Sequence, residues 1–333
     1  MAADLNKVAF SILELAAVGV ETEISEVFEN SLNLAQRAEE FGYKRFWLAE
    51  HHNMLSIASS ATSILIGHIA QGTEKIRVGS GGIMLPNHSP LIVSEQFGTL
   101  GQLHSNRIDL GLGRAPGTDQ RTAHAIRSDR MTAVHDFPKD IEEIQNYFSS
   151  DNEQPVRAFV AEGVDVPIYI LGSSTSSAYL AAEKGLPYVF ASHFAPAQLE
   201  EALRVYHQNF RPSAVLDRPY TIAGINIIAA ETSEEAERMS TSMYKMILGI
   251  LTQKMDYLQK ETAMTPEIEH LKNHPSVQQM LKYAFVGNKE EVKAQTQAFV
   301  DRFRVDELIL SSHIYDHEAQ VKSFEIFSEI MTD

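Results

Sequence analysis

The chain contains no cysteine, which removes disulfides, thiolate nucleophiles, Cys-ligated zinc and iron–sulfur clusters from consideration. Basic side chains are scarce: 28 Lys and Arg stand against 44 Asp and Glu, a formal charge of −16. Binding to a polyanion needs concentrated cationic groups, so neither nucleic acid nor an anionic membrane is an expected partner. No apolar run approaches the roughly 18 to 20 residues of a membrane span. The opening MAADLNKVAF lacks the long apolar core of a secretion signal. A soluble, cytoplasmic protein acting on small molecules is expected. No G-x-x-x-x-G-K-[ST] phosphate loop occurs either, which argues against nucleotide triphosphate hydrolysis.

What is present is a repeated theme over 333 residues, a short β-branched run followed by an amphipathic helix. Eight such runs can be read: Val8–Leu15, Arg45–His51, Ile76–Leu85, Arg107–Gly113, Val166–Gly172, Pro187–His193, Tyr220–Ala230 and Glu307–Ile314. Strands apolar on both faces and separated by helices imply a parallel sheet covered on both sides. Eight units suit a closed (β/α)8 TIM barrel with insertions better than a doubly wound sheet. No Pro/Gly/Ser linker or shift of composition marks a boundary, so one domain over 1–333 is expected. Two stretches break the rhythm: the fifty-odd residues before Val166, with one clear helix at Phe137–Phe148, and the polar, loop-like Lys260–Gln279. Long insertions on compact folds are commonly functional.

In a barrel of this kind the active site is built at the C-terminal ends of the strands. Polar residues concentrate there: Glu14, Glu50-His51-His52, Ser80-Gly81-Gly82, Gly113-Arg114, Gly172-Ser173-Ser174, Ser192-His193 and Ser311-Ser312-His313. Adjacent residues of a strand point to opposite faces, so His51 and His52 form a poor metal pair, and no metal site is expected. A neutral imidazole acting as a base, or a pair that ties down a loop, are the remaining readings. Gly111, Gly113 and Gly117 miss the G-x-G-x-x-G dinucleotide spacing. Arg114 nevertheless leaves a strand end with a fork suited to a phosphate. The run Ser173 to Ser177 opens an Ala-rich helix with more hydroxyls than one N-cap needs, and a helix N-terminus favours anions. Gly79, Gly81 and Gly82 weaken a strand unless a flat ligand or a bulge requires them.

Taken together, FWLAEHHN, VGSGGIMLPNHSP, SEQFGTLGQLHSNRIDLGLGRAPGTD, GSSTSSAYLAAEKGLPYVFASHF and FVGNKEEV resemble the bacterial luciferase-like flavin monooxygenases, most closely their homodimeric alkanal-monooxygenase-like members. The resemblance runs from Val8 to about Ile330. It implies an insertion-bearing barrel that takes reduced FMN from a separate flavin reductase and activates O2 as a C4a-hydroperoxyflavin to oxidise a small organic substrate, by family default an aldehyde. It also implies that His51 is the catalytic histidine and His52 its supporting neighbour. Arg114, Ser173, Ser174 and Ser177 would hold the FMN phosphate, and Gly81-Gly82 would form a cis peptide beneath the ring. Lys260–Gln279 matches a mobile lid. Light-emitting members have a cysteine where this chain has Gly113, which argues against luminescence. The rival expectations are hydride transfer with a deazaflavin or nicotinamide on the same barrel, and a non-catalytic FMN-binding protein.

Overall fold

The computed structural model describes residues 2–127 and 130–333. In chain order it contains β1 (Ala9–Glu14), α1 (Ile24–Glu40), β2 (Arg45–Leu48), α2 (Thr62–Gln71), β3 (Arg77–Ser80), β4 (Ile83–Met84), α3 (Pro90–Leu103) and β5 (Ile108–Gly113). Then follow α4 (Gln120–Ile126), α5 (Arg130–Phe148), β6 (Ile168–Gly172), α6 (Thr175–Lys184), β7 (Tyr188–Phe190), α7 (Leu199–Asn209) and β8 (Thr221–Ala229). The last third holds α8 (Ser233–Thr252), α9 (Pro266–Lys272), α10 (Pro275–Met280), β9 (Ala284–Gly287), α11 (Lys289–Phe303), β10 (Glu307–Ser311) and α12 (His317–Thr332). Eight strands close a parallel ring in the order β1-β2-β3-β5-β6-β7-β8-β10, with β10 returning to β1. The expected TIM barrel is therefore the observed fold.

The strand periodicity sorts side chains into two layers. Ile12, Phe46, Leu48, Ile108, Leu110, Ile170, Ala223 and Leu308 face outward into the large core beneath the helices. Leu13, Trp47, Tyr169, Val189, Ile222 and Ile309 face inward and fill the bore. Below that plug lies an ionic layer. Arg45 bonds Asp109 at 2.7 Å and Glu307 at 3.0 Å, Arg77 bonds Asp109 at 2.6 Å, and Tyr220 donates to Glu307 at 2.6 Å. Trp47 Nε1 donates to Asp109 at 3.0 Å and joins the two layers. The lower bore is thus closed by paired charges.

Two departures from the sequence expectation concern the last third. Lys260–Gln279 is not a plain loop: Thr265 and His274 cap α9 and α10, each with proline at its start. Its polarity is that of short helices exposing most of their surface, while Val277 is buried with Ile228, Met243 and Ile247. The unforeseen strand β9 pairs with the outer half of β8, Asn226 to Ala229. The expected third run is also divided, into β3 and the short β4, by a cis Gly81–Gly82 peptide.

Candidate functional site

The segment Glu50–Met54 leaves β2 at the mouth and is fixed by one carboxylate. Glu50, buried, accepts from His52 Nε2 at 2.9 Å, His88 Nε2 at 2.9 Å, Asn87 Nδ2 at 3.1 Å and the Met84 backbone N–H at 2.9 Å. Burial alone raises a carboxyl pKa, but the His52 and His88 hydrogen bonds outweigh it here and hold Glu50 down to about 2. An ionised carboxylate only accepts, so both imidazoles present Nε2–H to it. Glu50 thereby ties the β2 end to the loop that follows β4.

His51 turns the other way. Its Nδ1 lies 3.3 Å from the Gly117 carbonyl, which can only accept, so Nδ1 carries the hydrogen and Nε2 keeps its lone pair. Burial lowers the His51 pKa below 6.5, and the ring is neutral at physiological pH. The Gly117 carbonyl also accepts the His52 backbone N–H at 3.2 Å. Glycine is required at 117 twice over: φ is +65°, and an added Cβ would lie 2.6 Å from the Glu50 carbonyl oxygen. The GLGRAPG turn is therefore a backbone clamp on the twin histidines as well as the carrier of Arg114.

Gly81 and Gly82 owe their identity to close packing. A Cβ on Gly81 would lie 2.5 Å from Leu13 Cδ1, and one on Gly82 would lie 2.6 Å from the Gly111 carbonyl oxygen. Gly79 and Gly111 are equally crowded by Asp109 and Ser80. The β3 and β5 wall of the bore is therefore closely packed, with Leu13, Asp109 and Leu171 seated over its glycines.

Beyond this wall, Arg114 and Ser176 line one cavity of about 390 Å3 with Val134, His135, Phe137, Pro138 and Leu180. It opens where β5 ends and α6 begins, after the fourth and fifth strands of the ring. The serines divide their duties. Ser174 is the N-cap of α6, and Ser177 Oγ donates to the Ser174 carbonyl at 2.7 Å and touches Tyr188 Oη at 3.0 Å. Ser173 is half-buried at the end of β6, whereas Ser176 is exposed to the cavity. Of the five hydroxyl residues in the run, Ser176 lines that cavity together with Arg114.

Other strand-end residues separate into site and scaffold. Glu14 turns outward beneath α1, bonded by Ser31 Oγ at 3.1 Å and the Ala16 N–H at 2.8 Å, and burial holds its carboxyl up at about 7. His193 and His313 stay in the mouth, where burial pushes them down to about 3 and about 4. A proton on His313 or His51 would further oppose one on His193. Among the described residues no group of three or more His, Asp or Glu side chains is arranged to hold a metal ion. No described helix is long and apolar enough to cross a membrane. His88 and Asn87 escaped the sequence reading because their link to Glu50 spans 38 and 37 positions.

The chain matches the luciferase-like monooxygenase family over residues 8–307. It is 49% identical to YvbT of Bacillus subtilis, covering 96% of each chain. It is 44% identical to a luciferase-like monooxygenase of Escherichia coli strain K12, covering 97% of each. Among solved structures it superposes on apo-MsnO8 with a TM-score of 0.89 at 31% identity, covering 97% of this chain and 98% of that one. Two remoter structures share the fold alone. They are the oxygenating constituent of 3,6-diketocamphane monooxygenase from Pseudomonas putida in complex with FMN (TM-score 0.73, 16% identity, covering 98% of each chain) and an F420-dependent secondary alcohol dehydrogenase (0.70, 15%, covering 98% and 99%). A closed barrel, a histidine-bearing loop clamped at its mouth, and similarity along nearly its whole length place this chain in the luciferase-like monooxygenase family.

Proposed function

We propose that the protein is an FMN-dependent monooxygenase that takes reduced flavin from a separate reductase and uses O2 to oxidise a small organic substrate. The observation that carries this reading is the shared cavity of Arg114 and Ser176 at the start of α6. Its volume of about 390 Å3 falls among small-molecule sites, roughly 300 to 1,000 Å3. A guanidinium, a hydroxyl and a helix N-terminus together suit a dianionic phosphate. The Gly81–Gly82 turn, which carries no side chain of its own, suits a flat ring lying between that phosphate and His51.

In this assignment Arg114 and Ser176 grip the phosphate, with Ser173 beside them, while Ser174 and Ser177 hold the helix start in shape. The bound flavin supplies the oxygen chemistry. His51 accepts or returns a proton at Nε2, and Glu50 with His52 keeps the loop that carries it in register. Helices α2 and α3 border a groove lined by Ile64 and Leu100, and Ile64 and Leu103 are 72% and 70% exposed. Such a surface fits the covered face of a homodimer.

The test is an anaerobic titration with reduced FMN followed by oxygen uptake. The wild type should bind, and Arg114→Ala should bind about tenfold or more weakly, as expected for one lost charge-assisted contact. Absence of flavin binding in the wild type, or turnover with a deazaflavin and no oxygen uptake, would overturn the proposal.

A further inference from the structure

Two imidazoles in the mouth have no part in flavin binding as assigned above. His193 follows β7 and His313 follows β10, the strands that flank β8. The backbone of His193 is pinned: its carbonyl accepts Asn226 Nδ2 at 2.6 Å, and Asn226 Oδ1 accepts Ser311 Oγ at 2.8 Å. Ile222 faces the bore, so Gly224, two residues on, faces it as well. The His193 ring fills the space a side chain would take there. A Cβ on Gly224 would lie 2.3 Å from Nδ1 and 3.3 Å from both Cγ and Cε1. The ring therefore turns its Nδ1 edge onto Gly224 and its Nε2 edge away from it.

That orientation selects a tautomer. Nδ1 is buried and meets no hydrogen-bond partner among the described residues. Nδ1 is unpaired in either tautomer and a bare N–H is the worse buried orphan, so Nδ1 carries the lone pair and Nε2 the hydrogen. Burial, with His313 and His51 nearby, keeps the ring from taking a second proton. His51 has the opposite arrangement, N–H on Nδ1 and lone pair on Nε2. The mouth thus offers a neutral donor on one side and a neutral acceptor on the other. Uncharged imidazoles give a donor without a countercharge, which suits a carbonyl oxygen and not a carboxylate.

We propose that His193 is the substrate-binding donor, holding a carbonyl oxygen of the organic substrate through Nε2–H across the mouth from His51. The proposal rests on the monooxygenase reading for the identity of the reaction, but its tests need no flavin. Long-range 1H–15N NMR of the histidine-labelled protein at pH 7, assigned with His193→Gln, should show the Nε2–H tautomer at His193. An Nδ1–H tautomer or an imidazolium there would overturn it. Calorimetry with 2-octanone should then show binding to the wild type that weakens about three- to tenfold in His193→Phe, as expected for one lost neutral hydrogen bond. Binding should be largely kept in His193→Gln, whose amide can still donate. Octanoate should bind the wild type more weakly than 2-octanone. Equal affinity of all three proteins for 2-octanone, no binding by the wild type, or a preference for octanoate would each overturn the assignment. Failure of FMN to bind in a parallel titration would count against the flavin reading alone.

Discussion

Replacing Glu50 by Gln isolates the contribution of the carboxylate that fastens the histidine loop. In the native protein four donors converge on it: His52, His88, Asn87 and the Met84 N–H. An amide has one accepting oxygen and brings two hydrogens of its own, so at least one of these buried donors loses its partner. The same quantity follows from titration. The carboxyl is held at about 2 against an ordinary 4.5, a differential interaction of about 3 kcal/mol. Because the folded pKa is the depressed one, this stabilisation is present above the unfolded value and is lost as pH falls through the folded one. Linkage gives about 3 kcal/mol at pH 7 and about 1 kcal/mol at pH 3. Urea unfolding of the wild type and Glu50→Gln across that range should show the two stability curves converging in acid. A gap that is absent at pH 7, or one that keeps its size down to pH 3, would refute the claim that an ionised Glu50 holds the loop.

Three further outcomes follow from the same geometry. Arg45→Met should destabilise the fold by about 3–5 kcal/mol in denaturant titration, since Asp109 and Glu307 would be left buried without their shared partner. His51→Ala should bind reduced FMN like the wild type while oxygenation falls. In the wild type the acid limb of the rate profile should lie below pH 6.5, the direction in which burial moves His51. Ile64→Asp combined with Leu103→Asp should shift sedimentation from dimer to monomer without lowering thermal stability of the chain, because both side chains face outward.

The barrel was legible because parallel strands covered on both faces leave continuous apolar runs, of which Thr221–Ala229, buried throughout, is the plainest. β9 was not, because it is four residues long, half-exposed in alternation and ends at Gly287. The Thr265-Pro266 and His274-Pro275 pairs did carry helix-start signals inside Lys260–Gln279, which the polarity of the stretch obscured. At the site, the strand-end rule picked out Glu50, His51, Arg114 and the serine run. It could not give their pairings. Glu50 meets His88 across 38 positions and His51 meets Gly117 across 66, contacts made by the closing of the ring and not by any local pattern. Nor could the motif tell which hydroxyl of five lines the cavity with Arg114, since that depends on the turn at which α6 begins.

The nine-residue length of β8 has a consequence for traffic. Ile222–Asn226 pair with β10, and Ile227–Ala229 run on beyond it beside β9. Three residues at about 3.3 Å each raise this part of the rim by roughly 10 Å. The entrance is therefore lopsided, with a parapet on one flank. Diametrically across the ring stands β3, whose continuation is the Gly81–Gly82 turn. The tall flank of the mouth therefore stands opposite the glycine turn and not beside it.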